Sequence, residues 1–197
     1  MAGPDTNARS DGDNDRLCRI CLDDADEDSN PLLTPCKCIG SVRFIHLDCL
    51  KSWLDQKKQC QYNEGVLSYY WEELTCELCK KGLDLKSISG GDIRTLHYLL
   101  SIEKPESGMY CVLESYIECL SKAIHVVDFS FKKAFEVGRR VTNDITVSDI
   151  SVSRRQSKLR LQNSKIYLED QDSKFGTFVK LNDMIAIEPS MKHPLPI

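Results

Sequence analysis

The sequence predicts a small α+β domain built around clustered cysteines, followed by an all-β sandwich. Seven cysteines and one histidine among residues 18–79 fall into four closely spaced pairs. From about Met109 onward, the sequence contains short runs of alternating apolar residues and no further cysteine pairs of this kind. The clearest runs, Leu159/Leu161 and Ile166/Leu168, flank the polar residues 162–164 and predict a β-hairpin with one buried face.

The four pairs follow the order Cys-Cys, Cys-Cys, His-Cys, Cys-Cys, with one or two residues inside each pair. A structural zinc ion takes four such ligands in a tetrahedron, whereas a catalytic zinc ion keeps one position open. Eight ligands therefore predict two closed structural sites. Buried cysteines that only fill a core do not need this spacing. The predicted zinc ligands are Cys18, Cys21, Cys36, Cys38, His46, Cys49, Cys76 and Cys79.

Composition narrows the class of protein. Paired cysteines without a secretory signal indicate metal binding in a reducing compartment, here the cytoplasm or nucleus. No apolar run approaches the roughly 18 residues of a membrane span. The formal net charge is -4, and it becomes about -7 once seven thiolates and two zinc ions are counted. Such a charge argues against non-specific nucleic-acid binding, which needs a basic surface.

Four segments are predicted along the chain: a disordered N-terminus (1–15), a zinc domain (16–86), a partly helical linker (87–108) and a β domain (109–197). Helical spacing follows His46, and the turn at 89–92 caps a second, short helix. The apolar face of the first helix comprises Leu47, Leu50, Trp53 and Leu54, and that of the second comprises Ile93, Leu96, Leu99 and Leu100.

The zinc segment resembles the RING-CH (RING-variant, MARCH-like) family. PHD fingers share its ligand order but have a wider second pair and a shorter gap before the histidine. Here Cys36 and Cys38 enclose one residue, and residues 39–45 precede His46. Trp53 and the Glu77-Leu78 dipeptide also match RING-CH. One departure is the segment 50–75, which is slightly longer than usual in the family.

The resemblance implies a zinc-stabilised α+β cross-brace. Cys18, Cys21, His46 and Cys49 would bind one zinc ion, and Cys36, Cys38, Cys76 and Cys79 the other. It also implies ubiquitin ligase activity without a nucleophile of its own. Such a ligase binds a charged ubiquitin-conjugating enzyme and holds the ubiquitin thioester in a reactive pose.

The resemblance also implies which residues dock the ubiquitin-conjugating enzyme. They are Ile20, Trp53 and Leu78. For Trp53, packing in the core is an equally good interpretation. Lys80 stands where many RING domains place a basic residue that contacts ubiquitin, but a solvated lysine is the favoured interpretation because lysine lacks the planar fork of arginine.

The β segment resembles the forkhead-associated (FHA) domain, a sandwich that binds phosphothreonine peptides. The matching residues are Gly138-Arg139, the 153–156 loop and the 170–179 segment with its Gly-Thr-Phe-Val strand. A phosphate needs a guanidinium and hydroxyl or amide donors that converge on one point. The phosphopeptide contacts implied are Arg139, Ser153, Arg154 and Lys174; the alternative for each charged residue is an exposed strand edge.

Three departures bear on this FHA-like sandwich. Gln156 replaces a histidine that braces the binding loop, and Phe175 replaces an asparagine that hydrogen-bonds the peptide. The family also has further strands after Val179, so we expect a fragment or a sandwich incomplete at its C-terminus.

The predicted function is a RING-type ubiquitin ligase that binds a ubiquitin-conjugating enzyme, ubiquitin and a phosphorylated protein partner. The alternative is a non-enzymatic phosphopeptide adaptor with a structural zinc domain. A PHD-like histone reader is disfavoured by the Cys36/Cys38 spacing. Free thiols are expected at Cys60, Cys111 and Cys119, and no role is assigned to His97, His125 or His193.

Overall fold

The computed structural model describes residues 16–115 and 122–178. The chain forms two compact units. The first comprises Met1–Gln61, Leu67–Glu106 and Val112–Val126, and the second Tyr62–Val66, Ser107–Cys111 and Val127–Ile197. The helices in the described part of the chain are too short or too polar to span a lipid bilayer. The predicted disordered N-terminus and the expected final strands lie outside the described residues.

The zinc segment contains a two-stranded sheet and one helix. Strand β1 (Leu32–Leu33) pairs antiparallel with β2 (Ile45–His46), and a 3-10 turn (Ser41–Arg43) lies between them. Helix α1 (Leu47–Gln56) follows at once and buries Leu50 and Leu54. The predicted helix after His46 is confirmed, because apolar residues at its spacing form one face that the core covers.

The long segment before Cys76 is a β-hairpin and not an irregular loop. Its strands are β3 (Gln59–Asn63) and β4 (Val66–Trp71). Strand β4 supplies the largest buried side chains of the first unit, Tyr69 and Trp71. The indole Nε1–H of Trp71 donates to the carbonyl of Leu54 at 3.1 Å, which ties the hairpin to α1.

Two short helices follow the last zinc ligand, α2 (Leu85–Ile88) and α3 (Ile93–Leu99). Asp84 and Asp92 cap them by accepting hydrogen bonds from backbone N–H groups of the first turn. The predicted cap and helix are confirmed, but the segment is not a free linker. Leu99 and Leu100 are fully buried and α3 packs on α1, since an apolar helix face must be covered.

The strands that follow do not join the FHA-like sheet. Strands β5 (Tyr110–Glu114) and β6 (Lys122–Asp128) complete a four-stranded sheet in the order β3-β4-β6-β5. Most residues of this sheet belong to the first unit. The predicted division at residue 109 differs from this pairing, because strand alternation identifies a strand but not its partner. Tyr116 and Ile117, predicted in a strand, lie outside the described residues.

The second unit contains a separate sheet in the order β10-β9-β7-β8. Its strands are β7 (Ala134–Gly138), β8 (Ile145–Thr146), β9 (Ser157–Gln162) and β10 (Lys165–Asp170), of which β7 and β8 are parallel. Phe129, Phe135 and Ile145 form its buried core. This β-rich region is consistent with the predicted FHA sandwich.

The predicted hairpin is confirmed in position but not in burial. Asn163 and Ser164 turn the chain with φ of 50° and 59° between β9 and β10. Such positive values give the tight turn that matches strand twist. Leu159 on β9 is buried, whereas all residues of β10 are exposed among the described part of the chain. The alternating pattern on β10 therefore predicted more burial than the structure shows.

Candidate functional site

The eight predicted ligands form two clusters, and within each cluster the ligand atoms lie within 4.8 Å of one another. The four pairs alternate between the clusters, so the first and third pairs share one site and the second and fourth share the other. This confirms the predicted cross-brace. The two sets are Cys18, Cys21, His46 and Cys49, and Cys36, Cys38, Cys76 and Cys79.

Two tight turns aim the paired sulfurs inward. The amide of Leu22 donates to the carbonyl of Cys18 at 2.8 Å, and Leu22 has φ of 64°. The amide of Lys80 likewise donates to the carbonyl of Cys76 at 2.9 Å, with φ of 56° at Lys80. Positive φ at a non-glycine residue is strained, and here it closes each turn around a metal site.

The ligand spacing fits tetrahedral zinc. The sulfurs of Cys38 and Cys76 lie 3.7 Å apart. Zinc–sulfur bonds of roughly 2.3 Å at tetrahedral angles give edges of about 3.8 Å. In the other cluster, the sulfur of Cys21 lies 3.2 Å from Nδ1 of His46. The Nε2–H of His46 donates to the carbonyl of Ala25 at 2.5 Å, which leaves the Nδ1 lone pair free to bind metal.

The thiol pKa values show why these clusters need a cation. Burial raises the pKa of Cys18, but backbone N–H groups of Cys21, His46 and Ile20 outweigh it and bring the pKa to about 6. Burial and the neighbouring thiols raise the pKa of Cys38 to about 12. The three thiols of one cluster and the four of the other cannot all ionise at such close range without a positive charge among them. The donor set therefore fits two structural zinc ions.

Arg19 lies between the two zinc sites, and no role was predicted for it from the sequence. Its guanidinium donates to three sulfurs of the second cluster, at 3.5–3.7 Å. These sulfurs belong to Cys36, Cys38 and Cys76. The signal available in the sequence was a basic residue between two ligands, but its contacts are 17 to 57 positions away.

A groove of about 220 Å³ brings together the three predicted docking residues, Ile20, Trp53 and Leu78. Ile20 and Leu78 project from the two tight turns and are 48% and 60% exposed. Trp53 is half-buried on α1, and the ammonium of Lys57 lies 4.8 Å from the centre of its ring. Trp53 therefore lines the groove and is not a core residue. The other lining residues are Arg19, Ile45, Leu50, Glu77 and Leu83.

Three arginines line a second pocket of about 210 Å³, in the second unit. Arg139 and Arg154 were predicted, and Arg140 was not. The backbone N–H of Arg139 donates to the carbonyl of Ser153 at 2.9 Å, and that of Arg140 to the carbonyl of Arg154 at 3.3 Å. The loop after β7 therefore lies against the loop before β9. The arginine side chains are exposed and present a concentrated positive charge.

Ser153 and Lys174 also lie together. The hydroxyl of Ser153 accepts a hydrogen bond from the backbone N–H of Lys174 at 2.9 Å. The ammonium of Lys174 lies 5.1 Å from the centre of the Phe175 ring, and Phe175 itself is exposed. All four predicted phosphopeptide residues thus lie in three adjoining loops, those after β7, before β9 and after β10, although the Lys174 side chain is not among those that line the pocket.

Gln156 braces these loops where the FHA family has histidine. Its carbonyl oxygen accepts from the amide of Ser153 at 2.9 Å. Its side-chain nitrogen lies within 3.0 Å of three oxygens, those of the Ser173 hydroxyl, the Gly176 carbonyl and the Thr177 hydroxyl. An amide offers two N–H donors and one acceptor, so it can join both loops at once.

The remaining cysteines and histidines that the structure describes lie apart from both zinc clusters. Cys60 is exposed and Cys111 is half-buried. His125 is hydrogen-bonded to the hydroxyl of Ser68 at 2.8 Å, and burial lowers its pKa to about 4. Burial also lowers the pKa of His97, whose Nε2 has no hydrogen-bond partner among the described residues. Cys119 and His193 lie outside the described residues.

Comparison with known proteins defines the class. Residues 18–79 match the RING-variant domain family, and residues 135–193 match the FHA domain family. The chain thus contains a RING-variant domain followed by an FHA domain, in the order that the sequence predicted.

Three similar proteins each match half of the chain or less. The E3 ubiquitin-protein ligase MARCHF7 of Pongo abelii is 42% identical over 102 residues, which are 49% of this chain and 13% of that protein. The probable E3 ubiquitin-protein ligase MARCHF10 of Homo sapiens is 36% identical over 104 residues, 49% of this chain and 12% of that protein. The probable E3 ubiquitin ligase SUD1 of Arabidopsis thaliana is 47% identical over 61 residues, 30% of this chain and 5% of that protein. The chain thus spans only a small part of these relatives.

Proposed function

We propose that this protein is a RING-type E3 ubiquitin ligase that recruits phosphothreonine-containing partners through its FHA domain. The observation that carries the proposal is the single groove shared by Ile20, Trp53 and Leu78. Relatives named as E3 ubiquitin ligases support it. A cytoplasmic or nuclear location agrees with the predicted zinc sites and stays part of the proposal.

The groove suits a protein loop better than a substrate undergoing chemistry. Six of its eight lining side chains are apolar or aromatic, and the charged ones are Arg19 and Glu77. None of the lining residues is a nucleophile of the Ser, Cys or Lys type. In this mechanism the conjugating enzyme docks in the groove, and the ligase acts by orienting the ubiquitin thioester. The zinc ions hold the two tight turns, and therefore Ile20 and Leu78, in position.

The arginine pocket supplies the recruitment step. Three guanidinium groups with five N–H donors each suit the oxygens of a phosphate. Ser153 and the backbone N–H groups of the adjoining loops can add donors. The phosphate would approach from solvent, since the arginines are exposed, and the peptide would lie across the loop ends.

Ubiquitin discharge tests the ligase half of the proposal. The zinc-loaded chain is mixed with a panel of ubiquitin-charged conjugating enzymes, and loss of the thioester to free lysine is followed over time. We expect Ile20→Ala and Trp53→Ala to reduce the discharge rate at least tenfold without loss of zinc. Ile39→Ala is the matched control, since Ile39 is 84% exposed and does not line the groove. Absence of discharge with every conjugating enzyme, from folded protein, refutes ligase activity.

Phosphopeptide titration tests the recruitment half. We expect a phosphothreonine peptide from a degenerate library to bind, and its unphosphorylated form to bind at least tenfold more weakly. Arg139→Ala should abolish the difference. Arg155→Ala is the matched control because the Arg155 side chain pairs with Glu136 and Gln171 and does not line the pocket. Binding that does not depend on phosphorylation contradicts this half.

The competing function is a non-enzymatic phosphopeptide adaptor. It makes the same prediction for Arg139→Ala but expects no discharge with any conjugating enzyme. The two experiments together therefore separate the candidates.

A further inference from the structure

The guanidinium of Arg19 hydrogen-bonds to the sulfurs of the second zinc cluster, although its backbone belongs to the first. Nη1 lies 3.5 Å from the sulfur of Cys38 and 3.7 Å from that of Cys36. Nη2 lies 3.5 Å from the sulfur of Cys76. Arg19 itself stands between Cys18 and Cys21, two ligands of the other site. One side chain therefore contacts three of the four sulfurs of a site to which it contributes no ligand.

The position of Arg19 is set by the adjoining backbone. Its N–H donates to the carbonyl of Phe44 at 3.0 Å, and Nη1 also donates to the carbonyl of Val42 at 3.0 Å. Both carbonyls belong to the short segment that separates the second and third ligand pairs. The guanidinium is thus held half-buried at its place and is not a freely moving surface charge.

The charges of the two sites differ. A zinc ion with three thiolates and a neutral imidazole has a net charge of about -1, whereas one with four thiolates has about -2. The second site is therefore the more negative, and Arg19 faces that site. N–H···S bonds to an ionised sulfur are charge-assisted and stabilise the thiolate form that binds zinc.

We propose that Arg19 is the counter-ion of the four-cysteine zinc site and selectively raises its zinc affinity, so that the loop of one zinc site stabilises the other. The proposal does not depend on ligase activity, and its test needs no ubiquitin. Groups that orient metal ligands in this way typically account for about 10- to 100-fold in metal affinity. We expect a loss of that size at the second site alone when Arg19 is replaced.

The test is competition for zinc between the full chain and a chromophoric chelator, with Arg19→Ala, Arg19→Lys and a control. In Arg19→Ala, one of the two zinc ions should be released about 10- to 100-fold more readily. The zinc affinity of that site in Arg19→Lys should lie between those of Arg19→Ala and the wild type, because one ammonium cannot bridge three sulfurs. Arg43→Ala is the matched control, since the Arg43 guanidinium lies over the Phe44 ring at 4.4 Å and bonds to no ligand sulfur among the described residues.

Cobalt substitution identifies the weakened site. Cobalt bound by four sulfurs and cobalt bound by three sulfurs and one nitrogen have different visible absorption, so the affected site can be assigned. We expect the four-sulfur signal to be lost first in both Arg19 variants. Equal weakening of both sites, or loss of the three-sulfur signal first, overturns the proposal.

Alkylation mapping gives a second readout that stays informative if Arg19→Ala fails to fold. In Arg19→Lys, the thiols of Cys36, Cys38 and Cys76 should react faster with a maleimide, while those of Cys18 and Cys49 keep their wild-type rates. If the lysine variant binds both ions and resists alkylation like the wild type, the bridging role assigned to the guanidinium is wrong.

Discussion

The sulfur atoms of Cys38 and Cys76 lie 3.7 Å apart, although 38 positions separate the two residues along the chain. This distance matches one edge of the tetrahedron that four sulfur ligands would form around a zinc ion. Between the two residues lie the third ligand pair, α1 and the β3–β4 hairpin. A metal ion bound by both residues would close the chain between Cys38 and Cys76 into a large loop. The fold of the segment within that loop then depends on the metal site.

Replacing Cys38 should therefore cost the site its zinc ion and the first unit much of its stability. In Cys38→Ser we expect one zinc ion per chain in place of two, measured by native mass spectrometry. We also expect loss of most of the stability of the first unit, because structural zinc sites can supply on the order of 10 kcal/mol of folding free energy. Cys60→Ser is the control, since Cys60 is exposed and lies in neither cluster. Two zinc ions retained in Cys38→Ser contradict the assignment.

The zinc ligands could be predicted from the sequence because each pair is a local motif. Cys18 and Cys21 are close enough that one turn brings their sulfurs together, and the alternation of pairs follows the family. The contacts of Arg19 could not be predicted, since its sulfur partners are brought near only when the cross-brace is complete. The partners of β5 and β6 were missed for the same reason. Strand alternation says which face is buried but not which strand lies alongside.

The FHA-like loops illustrate a different limit. Gln156 was recognised as a departure from the family, but its bracing role depends on oxygens 17 to 21 positions further along the chain. Only the folded loops place these oxygens around the amide. Arg140 was likewise not predicted to line the pocket, because a neighbour of Arg139 on an extended strand would point to the opposite face. Strand β7 ends at Gly138, so Arg139 and Arg140 lie beyond the strand and both can line the pocket.

Gln156→Ala should loosen the two loops together. The change removes the hydrogen bonds to Ser153 and to the 173–177 segment, so we expect a loss of about 1–3 kcal/mol in the free energy of unfolding of the second unit. Phosphopeptide affinity should fall with it, by tenfold or more. Chemical denaturation and peptide titration measure the two effects. Gln162→Ala, at the exposed end of β9, should change neither; equal behaviour of the two variants contradicts the bracing role.

Gly138 is required by the close approach of two backbone segments. A Cβ added there would lie 2.6 Å from the carbonyl oxygen of Arg154 and 2.8 Å from Nδ2 of Asn143. The Asn143 amide also donates to that carbonyl at 2.8 Å, so neither neighbour can move freely. Overpacking of this kind costs about 1–3 kcal/mol.

We therefore expect Gly138→Ala to destabilise the second unit and to displace Arg154 from the pocket. Phosphopeptide affinity should fall by more than the smaller fraction of folded protein explains. Circular dichroism at several temperatures measures the folded fraction, and peptide titration at the same temperatures measures the affinity. Val137→Ala on the same strand is the control. It removes two methyl groups from a half-buried side chain and should lower stability without any change in the affinity of the folded fraction. A pocket of unchanged affinity in Gly138→Ala contradicts the prediction.

The buried histidine of β6 makes stability depend on pH. Burial lowers the pKa of His125 to about 4, below the ordinary histidine value of about 6.5. Between these values the unfolded chain binds a proton that the folded chain does not, so stability is complete above pH 6.5 and falls as the pH decreases through this range. At pH 5 the loss from this residue is about 2 kcal/mol.

His125→Gln removes this titration while it keeps a group able to hydrogen-bond to Ser68. With excess zinc in every sample, the unfolding free energy of the variant should fall less than that of the wild type between pH 7 and pH 5, by about 2 kcal/mol. Because both proteins have the same zinc sites, the protonation of the zinc ligands cancels in this difference. Parallel curves for the two proteins would show that His125 is already exposed to protons in the folded state.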